Sequence, residues 1–326
     1  MTTATKATSP GVPNPMKVTR VPWQLKFMAL SFIWGSSFLL MKVGLRSLAP
    51  LQISGLRIIS GAVVLLLLRT ASGGRLPRER RLWAHLMVTG FFLGALPFSL
   101  FALGEERVSS ALAGIGNSIT PIATVMFSLL LLPGDKIAPR KIVGVLIGFA
   151  GVLVIMQPWQ SAGRPDLVGF GMTLVAGMSY GLGWIYTRRF LGRADFGGLT
   201  LPAAQMLTSA GQMLAALTIW WLIQRAHLSL AAPWSLHPNT GGGSILVPLL
   251  AVLALGIFGT GIAMSFQYDV VRAAGPTVGS SVTYLIPVVS VALGVVVLGE
   301  RLQWPQFVGA AVVLGAAVLI GRSGKR

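Results

Sequence analysis

The sequence has no cysteine and only three histidines, and these shortages exclude several kinds of site. Without cysteine there is no structural disulfide, no thiol nucleophile and no cysteine-ligated metal. The histidines, His85, His227 and His237, are scattered along the chain and lack the spacing of metal ligands. We therefore expect neither a metal site nor a cofactor.

Charged residues are also scarce. They make up 10% of the chain, whereas hydrophobic residues make up 54%. Soluble domains are roughly 25% charged, so this composition predicts an integral membrane protein surrounded by a lipid bilayer. The formal net charge of +18 would also suit a nucleic-acid partner. However, the basic residues lie in short segments between apolar runs, which the positive-inside rule explains, and we expect no nucleic-acid binding.

Acidic residues are the rarest charged type, with only eight in the chain. We expect all of them to lie in loops or at the ends of membrane spans. They are Glu79, Glu105, Glu106, Asp135, Asp166, Asp195, Asp269 and Glu300. A sequence without a carboxylate at the bilayer centre predicts no acidic proton relay, and it favours a neutral, zwitterionic or anionic cargo over a lipophilic cation.

Long apolar runs, in contrast, fill the chain. A helix that crosses about 30 Å of hydrocarbon needs about 20 residues. This length predicts an all-α membrane protein with ten transmembrane helices, between tails at 1–24 and 322–326. The apolar run that follows Trp23 is too long for a secretory signal peptide. The predicted spans are 25–45, 50–68, 82–103, 109–132, 140–156, 167–187, 199–222, 245–268, 276–298 and 305–321.

The chain also repeats its own plan at an offset of 165 residues, or 166 near two prolines. So long a period excludes a solenoid and indicates a duplicated half-protein. We therefore divide the chain into five-helix repeats at 25–156 and 167–321, joined by a loop at 157–166. The matched positions are Arg107 with Arg272, Pro121 with Pro287, and Gly134-Asp135-Lys136 with Gly299-Glu300-Arg301.

The distribution of Lys and Arg predicts the orientation of the spans. With the N-terminus inside, the cytoplasmic segments hold 19 basic residues and the outer segments hold five, while Lys42 and Arg57 lie within spans. The positive-inside rule then places both termini in the cytoplasm. Because each repeat has an odd number of spans, the two repeats enter the membrane from opposite sides. Such inverted repeats are typical of alternating-access transporters with a site near the midplane.

Several motifs, in this order, give the chain a resemblance to a known family. They are Trp34-Gly35-Ser36-Ser37-Phe38, Arg57, the proline-bearing fourth and ninth spans, and Leu298-Gly299-Glu300-Arg301. The sequence resembles the EamA family of the drug/metabolite transporter superfamily over residues 25–321. This resemblance implies a ten-helix, inverted-repeat transporter of small metabolites, often an exporter. The first repeat departs from the family pattern, with Pro133-Gly134-Asp135-Lys136 where Gly-Glu-Arg is usual.

Polar and aromatic side chains within spans are the candidates for substrate binding. Lipid offers them no hydrogen-bond partner, so they are expected to face the interior of the bundle. The amides would equally serve as contacts between helices, and Arg57 and Lys42 would equally reach back to the membrane interface. The predicted substrate-binding residues are Trp34, Ser37, Arg57, Asn117, Tyr180, Trp184, Gln205, Gln267, Thr283 and Tyr284.

Pro121 and Pro287 are the candidates for gating. Each proline removes a backbone donor and should bend its span, so neighbouring polar groups must satisfy the freed carbonyl. A tolerated kink without a role in gating remains an alternative. Gly144, Gly148 and Gly151 mark one small-residue face of the fifth span, which predicts close helix packing, either within the chain or in a homodimer.

Together these features predict a secondary transporter of the inner membrane that moves small metabolites, such as amino acids, by alternating access. A multidrug efflux transporter of the same fold is the alternative within this class. A membrane-embedded hydrolase lacks a histidine or carboxylate placed to activate a mid-membrane serine. A non-transporting scaffold would explain the glycine faces but not the paired prolines or the mid-span aromatic residues.

Overall fold

The computed structural model describes residues 21–132, 134, 137–160, 166–192, 194, 198–228, 245–289 and 304–321. Over these residues the chain is helical, with short connections. Its helices are α1 (Trp23–Gly44), α2 (Pro50–Ala71), α3 (Arg80–Arg107), α4 (Ser110–Asn117 and Thr120–Leu131), α5 (Pro139–Met156), α6 (Leu167–Leu191), α7 (Thr200–Leu228), α8 (Leu246–Ala274), α9 (Pro276–Val289) and α10 (Trp304–Gly321).

Eight of these helices, α1 to α8, are long and apolar enough to cross a membrane. The prediction of an all-α membrane protein is therefore confirmed. Helices α9 and α10 are apolar but shorter over the described part of the chain, so the count of ten spans and the inverted arrangement stay predictions. Residues 290–303, with the Gly299-Glu300-Arg301 motif, lie outside the described residues, as do Asp135 and Lys136.

Three of the long helices contain a π-helical turn. These turns are Phe91–Ala95 in α3, Thr187–Leu191 in α6 and Ile257–Ile262 in α8. The three helices run for 28, 25 and 29 residues, so the predicted ends at 103, 187 and 268 were too early. A π turn is a rare and costly insertion in a helix and occurs mostly at functional sites.

The fourth helix is interrupted immediately before Pro121, as its sequence predicts. The chain leaves the helix at Ser118 and Ile119 and resumes it at Thr120. The carbonyl of Asn117, whose helical donor Pro121 removes, accepts a hydrogen bond from Thr120 Oγ1 at 2.7 Å. Helix α9 differs, because its interruption lies at Ser281, six residues before Pro287.

Helices α5 and α10 pack closely through the glycine face of α5. A Cβ atom on Gly144 would lie 2.8 Å from Ile320 Cγ1, and one on Gly151 would lie 2.8 Å from Val313 Cγ2. A Cβ on Gly148 would lie 2.6 Å from the Tyr284 ring of α9. The interpretation of this face as packing within the chain is therefore confirmed.

Asp166 fixes the start of α6. Its Oδ1 accepts a hydrogen bond from the backbone N–H of Gly169 at 2.8 Å, as an N-cap residue does. Arg107, in the last turn of α3, donates to Asp166 Oδ2 at 3.4 Å. The Gly169 N–H, and after it the nearby guanidinium, lower the pKa of the Asp166 carboxyl from its ordinary value. The contact between Arg107 and Asp166 connects the end of α3 to the start of α6.

Candidate functional site

A cavity lies among α1, α2, α3, α4, α6, α8 and α9 and so draws on both predicted repeats. Eight of the ten predicted substrate-binding residues line it, namely Trp34, Ser37, Arg57, Asn117, Tyr180, Trp184, Gln267 and Thr283. The cavity leaves about 50 Å³ for the centres of water molecules. Because one water needs about 10–15 Å³ by this measure, the cavity admits a few waters here, and a metabolite would require the helices to move apart.

Arg57 supplies the positive charge of the cavity. Only 6% of the residue is exposed. Its Nε donates to Thr260 Oγ1 at 2.9 Å, and its Nη2 donates to the Gly259 carbonyl at 3.4 Å. The guanidinium also lies 4.0 Å from the centre of the Phe98 ring, a cation–π arrangement. The guanidinium is thus held inside the bundle, and the alternative of an arginine reaching back to the interface is wrong.

The π turn of α8 organises this part of the cavity. Its Gly259 carbonyl accepts a hydrogen bond from Trp34 Nε1 at 3.0 Å as well as the one from Arg57. A Cβ atom on Gly61 of α2 would lie 2.7 Å from Thr260 Cγ2, so the small residue lets the turn approach α2. The π turn therefore holds the cavity-lining side chains Trp34 of α1 and Arg57 of α2 together.

Sequence reasoning missed this turn. Gly259 and Thr260 were not among the predicted site residues, although Phe258-Gly259-Thr260-Gly261 interrupts an otherwise apolar run. A polar residue between two glycines in mid-span is a signal that could have found it. A π turn itself leaves no simple periodicity, because it shifts the helix register by one residue.

Aromatic rings form much of the remaining wall. Tyr180 packs against Phe98 and Phe101, with ring centres 6.1 Å and 6.0 Å apart. Phe38 packs edge-on against Phe101 at 5.7 Å. Sequence reasoning missed the three phenylalanines, because phenylalanine is an ordinary residue in an apolar helix. The wall is therefore more aromatic than the sequence predicted.

The neutral polar groups of the cavity come from the interrupted helices α4 and α9 and from α8. Thr120 Oγ1 contacts the Gly177 carbonyl of α6 at 3.0 Å, and Thr283 Oγ1 donates to the Ser280 carbonyl at 3.0 Å. Gln267 of α8 is 1% exposed, and its Oε1 has no hydrogen-bond partner among the residues that the structure describes. Asn117, Gln267 and Thr283 therefore bring amide and hydroxyl groups to a mostly apolar site.

Two predicted residues, Gln205 and Tyr284, do not line the cavity. Gln205 Oε1 accepts a hydrogen bond from Tyr268 Oη at 2.5 Å, which connects α7 to α8. The Tyr284 hydroxyl donates to the Val145 carbonyl at 2.9 Å and so connects α9 to α5. Both residues therefore contact other helices at these atoms. For Gln205 this agrees with the alternative that the amides serve as contacts between helices.

Trp184 closes one end of the cavity. It is 3% exposed and packs edge-on against Tyr268, with ring centres 5.1 Å apart. Beyond it lies a second cavity, which Trp184 also lines together with Arg188 and Arg272. That cavity has about 530 Å³ for the centres of water molecules, far more than the first. The walls of the small cavity and of a wide one with arginines in its wall therefore share Trp184.

Lys42 lies at the other end. Its ammonium donates to the carbonyls of Glu105 and Val108, the latter at 3.1 Å, where α3 ends. A helix C-terminus favours a cation at this position. The expectation that Lys42 reaches towards the membrane interface stays a prediction. Lys42 at the end of α3 and Arg57 over the Phe98 ring thus bring two positive charges to the same face of this helix.

Glu105 corrects the expectation about acidic residues. It lies near the end of α3, as predicted, but it is completely buried. Neither carboxylate oxygen has a hydrogen-bond partner within the described ranges. The end of α3 therefore holds a buried acid, and the sequence predicted its place near a span end but not its burial.

Comparison with known proteins agrees with this architecture. The model of the EamA-like transporter family matches residues 21–157 and 167–322. An uncharacterized inner membrane transporter of Escherichia coli strain K12, YedA, is 29% identical over 293 residues, which cover 90% of this chain and 88% of YedA. A probable amino-acid metabolite efflux pump of the same strain is 22% identical over 287 residues, which cover 86% of this chain and 89% of the pump.

A solved crystal structure has the same fold. It is 21% identical in sequence and superposes with a TM-score of 0.69 over 93% of this chain and 97% of its own. The family matches span most of the sequence, and the eight long apolar helices make this a multi-pass protein of the inner membrane, like YedA. The chain belongs to the EamA-like transporter family, which is of the drug/metabolite transporter type.

Proposed function

We propose that this protein is a secondary transporter that exports amino acids or related small metabolites with a carboxylate group by alternating access. The observation that supports this cargo is the buried Arg57 guanidinium in the wall of the central cavity. The relative named as a probable amino-acid metabolite efflux pump is consistent with the proposed cargo and direction, although it is only 22% identical.

Arg57 has the chemistry to bind a carboxylate. Among the described residues, its hydrogen-bond partners are the neutral Thr260 hydroxyl and Gly259 carbonyl, and they use Nε and Nη2. A buried charge is costly without a partner of opposite sign, and a cargo carboxylate would supply one through a charge-assisted hydrogen bond. Asn117 and Thr283 would orient the amine, and the aromatic wall would contact the apolar part.

The transport cycle would open the two ends of the cavity in turn. In this proposal the repeats are inverted, both termini are cytoplasmic, and the two repeats move relative to one another around the site. The interruptions in α4 and α9, with Pro121 and Pro287, would serve as the hinges, because their backbone lacks the continuous hydrogen bonds of a helix. A monomer suffices for this cycle, although the proposal is equally compatible with a homodimer.

The first prediction tests the cargo. Purified protein in sealed liposomes should carry members of an amino-acid panel, and Arg57→Gln should lower that flux at least about tenfold. Loss of a charged hydrogen bond costs about 1.5–3 kcal/mol, and 1.4 kcal/mol corresponds to about a factor of ten. The matched control is Arg225→Gln, which removes an exposed arginine at the end of α7 and should leave the flux unchanged.

A multidrug transporter is the competing outcome, because the aromatic wall of Phe98, Phe101 and Tyr180 also suits a lipophilic cation. The same liposomes should therefore be tested with quaternary ammonium dyes. Dye flux that is unchanged in Arg57→Gln, without any amino-acid flux in the parent, would overturn the proposed cargo.

A further inference from the structure

Glu105 is a buried acid close to the cavity that the proposed function does not use. It follows Phe101 by four residues and Phe98 by seven, so it lies on the cavity-lining face of α3, one turn beyond the lining. The residue has 0% exposure, and both carboxylate oxygens lack a hydrogen-bond partner in the described part of the chain. A structural carboxylate at such a depth would normally be hydrogen-bonded.

The charged and titratable groups around Glu105 come from three neighbouring helices and from α3 itself. Lys42 of α1 donates to the Glu105 backbone carbonyl. Arg57 of α2 lies over the Phe98 ring, about two turns before Glu105, and Tyr180 of α6 packs against Phe101. Further along α3, Arg107 is paired with Asp166 at the start of α6. The Lys42 ammonium donates to backbone carbonyls, so its charge acts on the Glu105 side chain without a hydrogen bond between them.

Two opposing effects therefore act on the charge of Glu105. Removal from water disfavours a carboxylate, whereas the positive charges of Lys42 and Arg57 favour it. A change in either effect shifts the balance between the carboxylate and the neutral acid. Binding of a cargo carboxylate to Arg57 is such a change, because it cancels one of the two nearby positive charges.

We propose that Glu105 is a proton-binding site and that its protonation is linked to the binding of a carboxylate cargo at Arg57. The proposal rests on the function proposed above. A bound carboxylate weakens the positive field at Glu105 and so favours its protonation, and by reciprocity a proton on Glu105 favours cargo binding. Proton and cargo therefore bind together and cross the membrane in the same direction.

The chemical step is a simple proton transfer. An O–H bond forms between a Glu105 carboxylate oxygen and a proton taken from water at one face of the membrane. The same bond breaks when the cavity opens to the other face and the proton returns to water. Export of cargo at high internal concentration would then carry protons outward.

The test uses purified full-length protein in liposomes and three measurements. In the parent, a more acidic exterior should drive accumulation of an amino acid found to be cargo, and efflux of that amino acid should acidify the exterior. Glu105→Gln imitates the protonated acid, so it should exchange internal for external cargo but lose the response to the pH gradient. Glu106→Gln is the matched control, because Glu106 is the next residue but is exposed, and it should behave like the parent.

An infrared titration separates this proposal from the cargo proposal. Parent protein without cargo should show a protonated-carboxyl band that appears as the pH falls, that is absent in Glu105→Gln, and that shifts in frequency in Glu105→Asp. This band needs neither transport nor a known cargo, so it supports the proton site even if every flux measurement fails. Glu105→Asp also retains a carboxyl group, which keeps the comparison informative if Glu105→Gln does not fold.

Three results would overturn the proposal. The first is an equal response to the pH gradient in the parent and in Glu105→Gln. The second is accumulation driven by an acidic interior, which would reverse the sign of the linkage. The third is an infrared titration without a band that depends on Glu105.

Discussion

The two ends of the central cavity are closed by different chemistry. At one end the Lys42 ammonium binds the carbonyls of Glu105 and Val108, and the Glu105 carboxylate is buried beside it. At the other end Trp184 packs against Tyr268, which hydrogen-bonds to the neutral amide of Gln205. The first end is held by charge and the second by aromatic packing, so we expect pH to act directly on the first end alone.

This difference matters for an alternating-access cycle. Opening the charged end separates an ammonium from the carbonyls at the end of α3, and such bonds are stronger than neutral ones. Opening the aromatic end requires Trp184 and Tyr268 to move apart, which breaks packing but need not break the bond between Tyr268 and Gln205. Arg57 lies between the two ends, so the proposed cargo would influence the charged end by neutralising the Arg57 guanidinium.

The largest expected effect is on the side of the membrane from which two introduced cysteines can be labelled. The chain has no cysteine, so single cysteines can be introduced without background. We expect Ser72→Cys, after α2, to react only with a reagent added from the cytoplasmic side. Ser161→Cys, in the predicted loop at 157–166, should react only from outside.

The topology measurement needs vesicles of known orientation and a reagent that does not cross the membrane. Permeabilised vesicles provide the control, since both cysteines should then react. Labelling of both positions from the same side in intact vesicles would show that the inverted arrangement is wrong.

Much of the fold could be predicted because the bilayer imposes simple constraints. Apolar runs of about 20 residues must be helices, so the positions of α1 to α8 followed from length and composition. Polar and aromatic residues in mid-span must find partners away from lipid. That constraint placed Trp34 and Tyr180 in the interior, where the structure brings them to one cavity. For Arg57 the constraint left the membrane interface as an alternative.

The remaining features depend on where each helix face points, which the sequence does not determine. Tyr284 and Thr283 are neighbours, yet only Thr283 faces the cavity, because consecutive residues differ by about 100° around a helix. Glu105 was expected in a loop or at the end of a span, because the expected span ended at 103, whereas α3 contains a π turn and continues to Arg107. The position near the end of a span was therefore predicted, but the burial of this acid was not.

The interruption before Pro121 is expected to have the next largest effect. Pro121→Ala restores a backbone N–H that can donate to the Asn117 carbonyl, in competition with the hydroxyl of Thr120. The two segments of α4 would then join into one helix, and the two ends of the cavity could no longer open independently. We expect transport of a cargo established in liposomes to fall several-fold while the amount of protein in the membrane stays the same.

Pro139→Ala provides the control for this measurement. Pro139 occupies the first turn of α5, where a proline has no helical hydrogen bond to remove, so its replacement should leave transport unchanged. If Pro121→Ala transports at the parent rate, the interruption is a tolerated kink and the hinge lies elsewhere in the bundle.

The smallest expected effect concerns the aromatic end, where the Tyr268 hydroxyl donates to Gln205 Oε1 at 2.5 Å. Both residues are buried, and Gln205 Nε2 has no partner among the described side chains and backbone, so this bond is the amide's main attachment. Tyr268→Phe keeps the ring against Trp184 but leaves the amide oxygen unpaired. Hydrogen bonds between membrane helices contribute about 1 kcal/mol, so the free energy of unfolding in detergent should fall by about that amount.

The double variant Tyr268→Phe with Gln205→Leu makes this measurement decisive. Replacing both partners of a buried hydrogen bond by apolar groups is often nearly neutral, because no polar group remains unsatisfied. The double variant should therefore recover most of the stability lost in Tyr268→Phe, and neither variant should change the dependence of transport on pH. Equal stability of the parent and Tyr268→Phe would show that the bond does not hold this end closed. A changed pH response would show that the aromatic end is coupled to Glu105, and the division between a charged end and a neutral end would then be wrong.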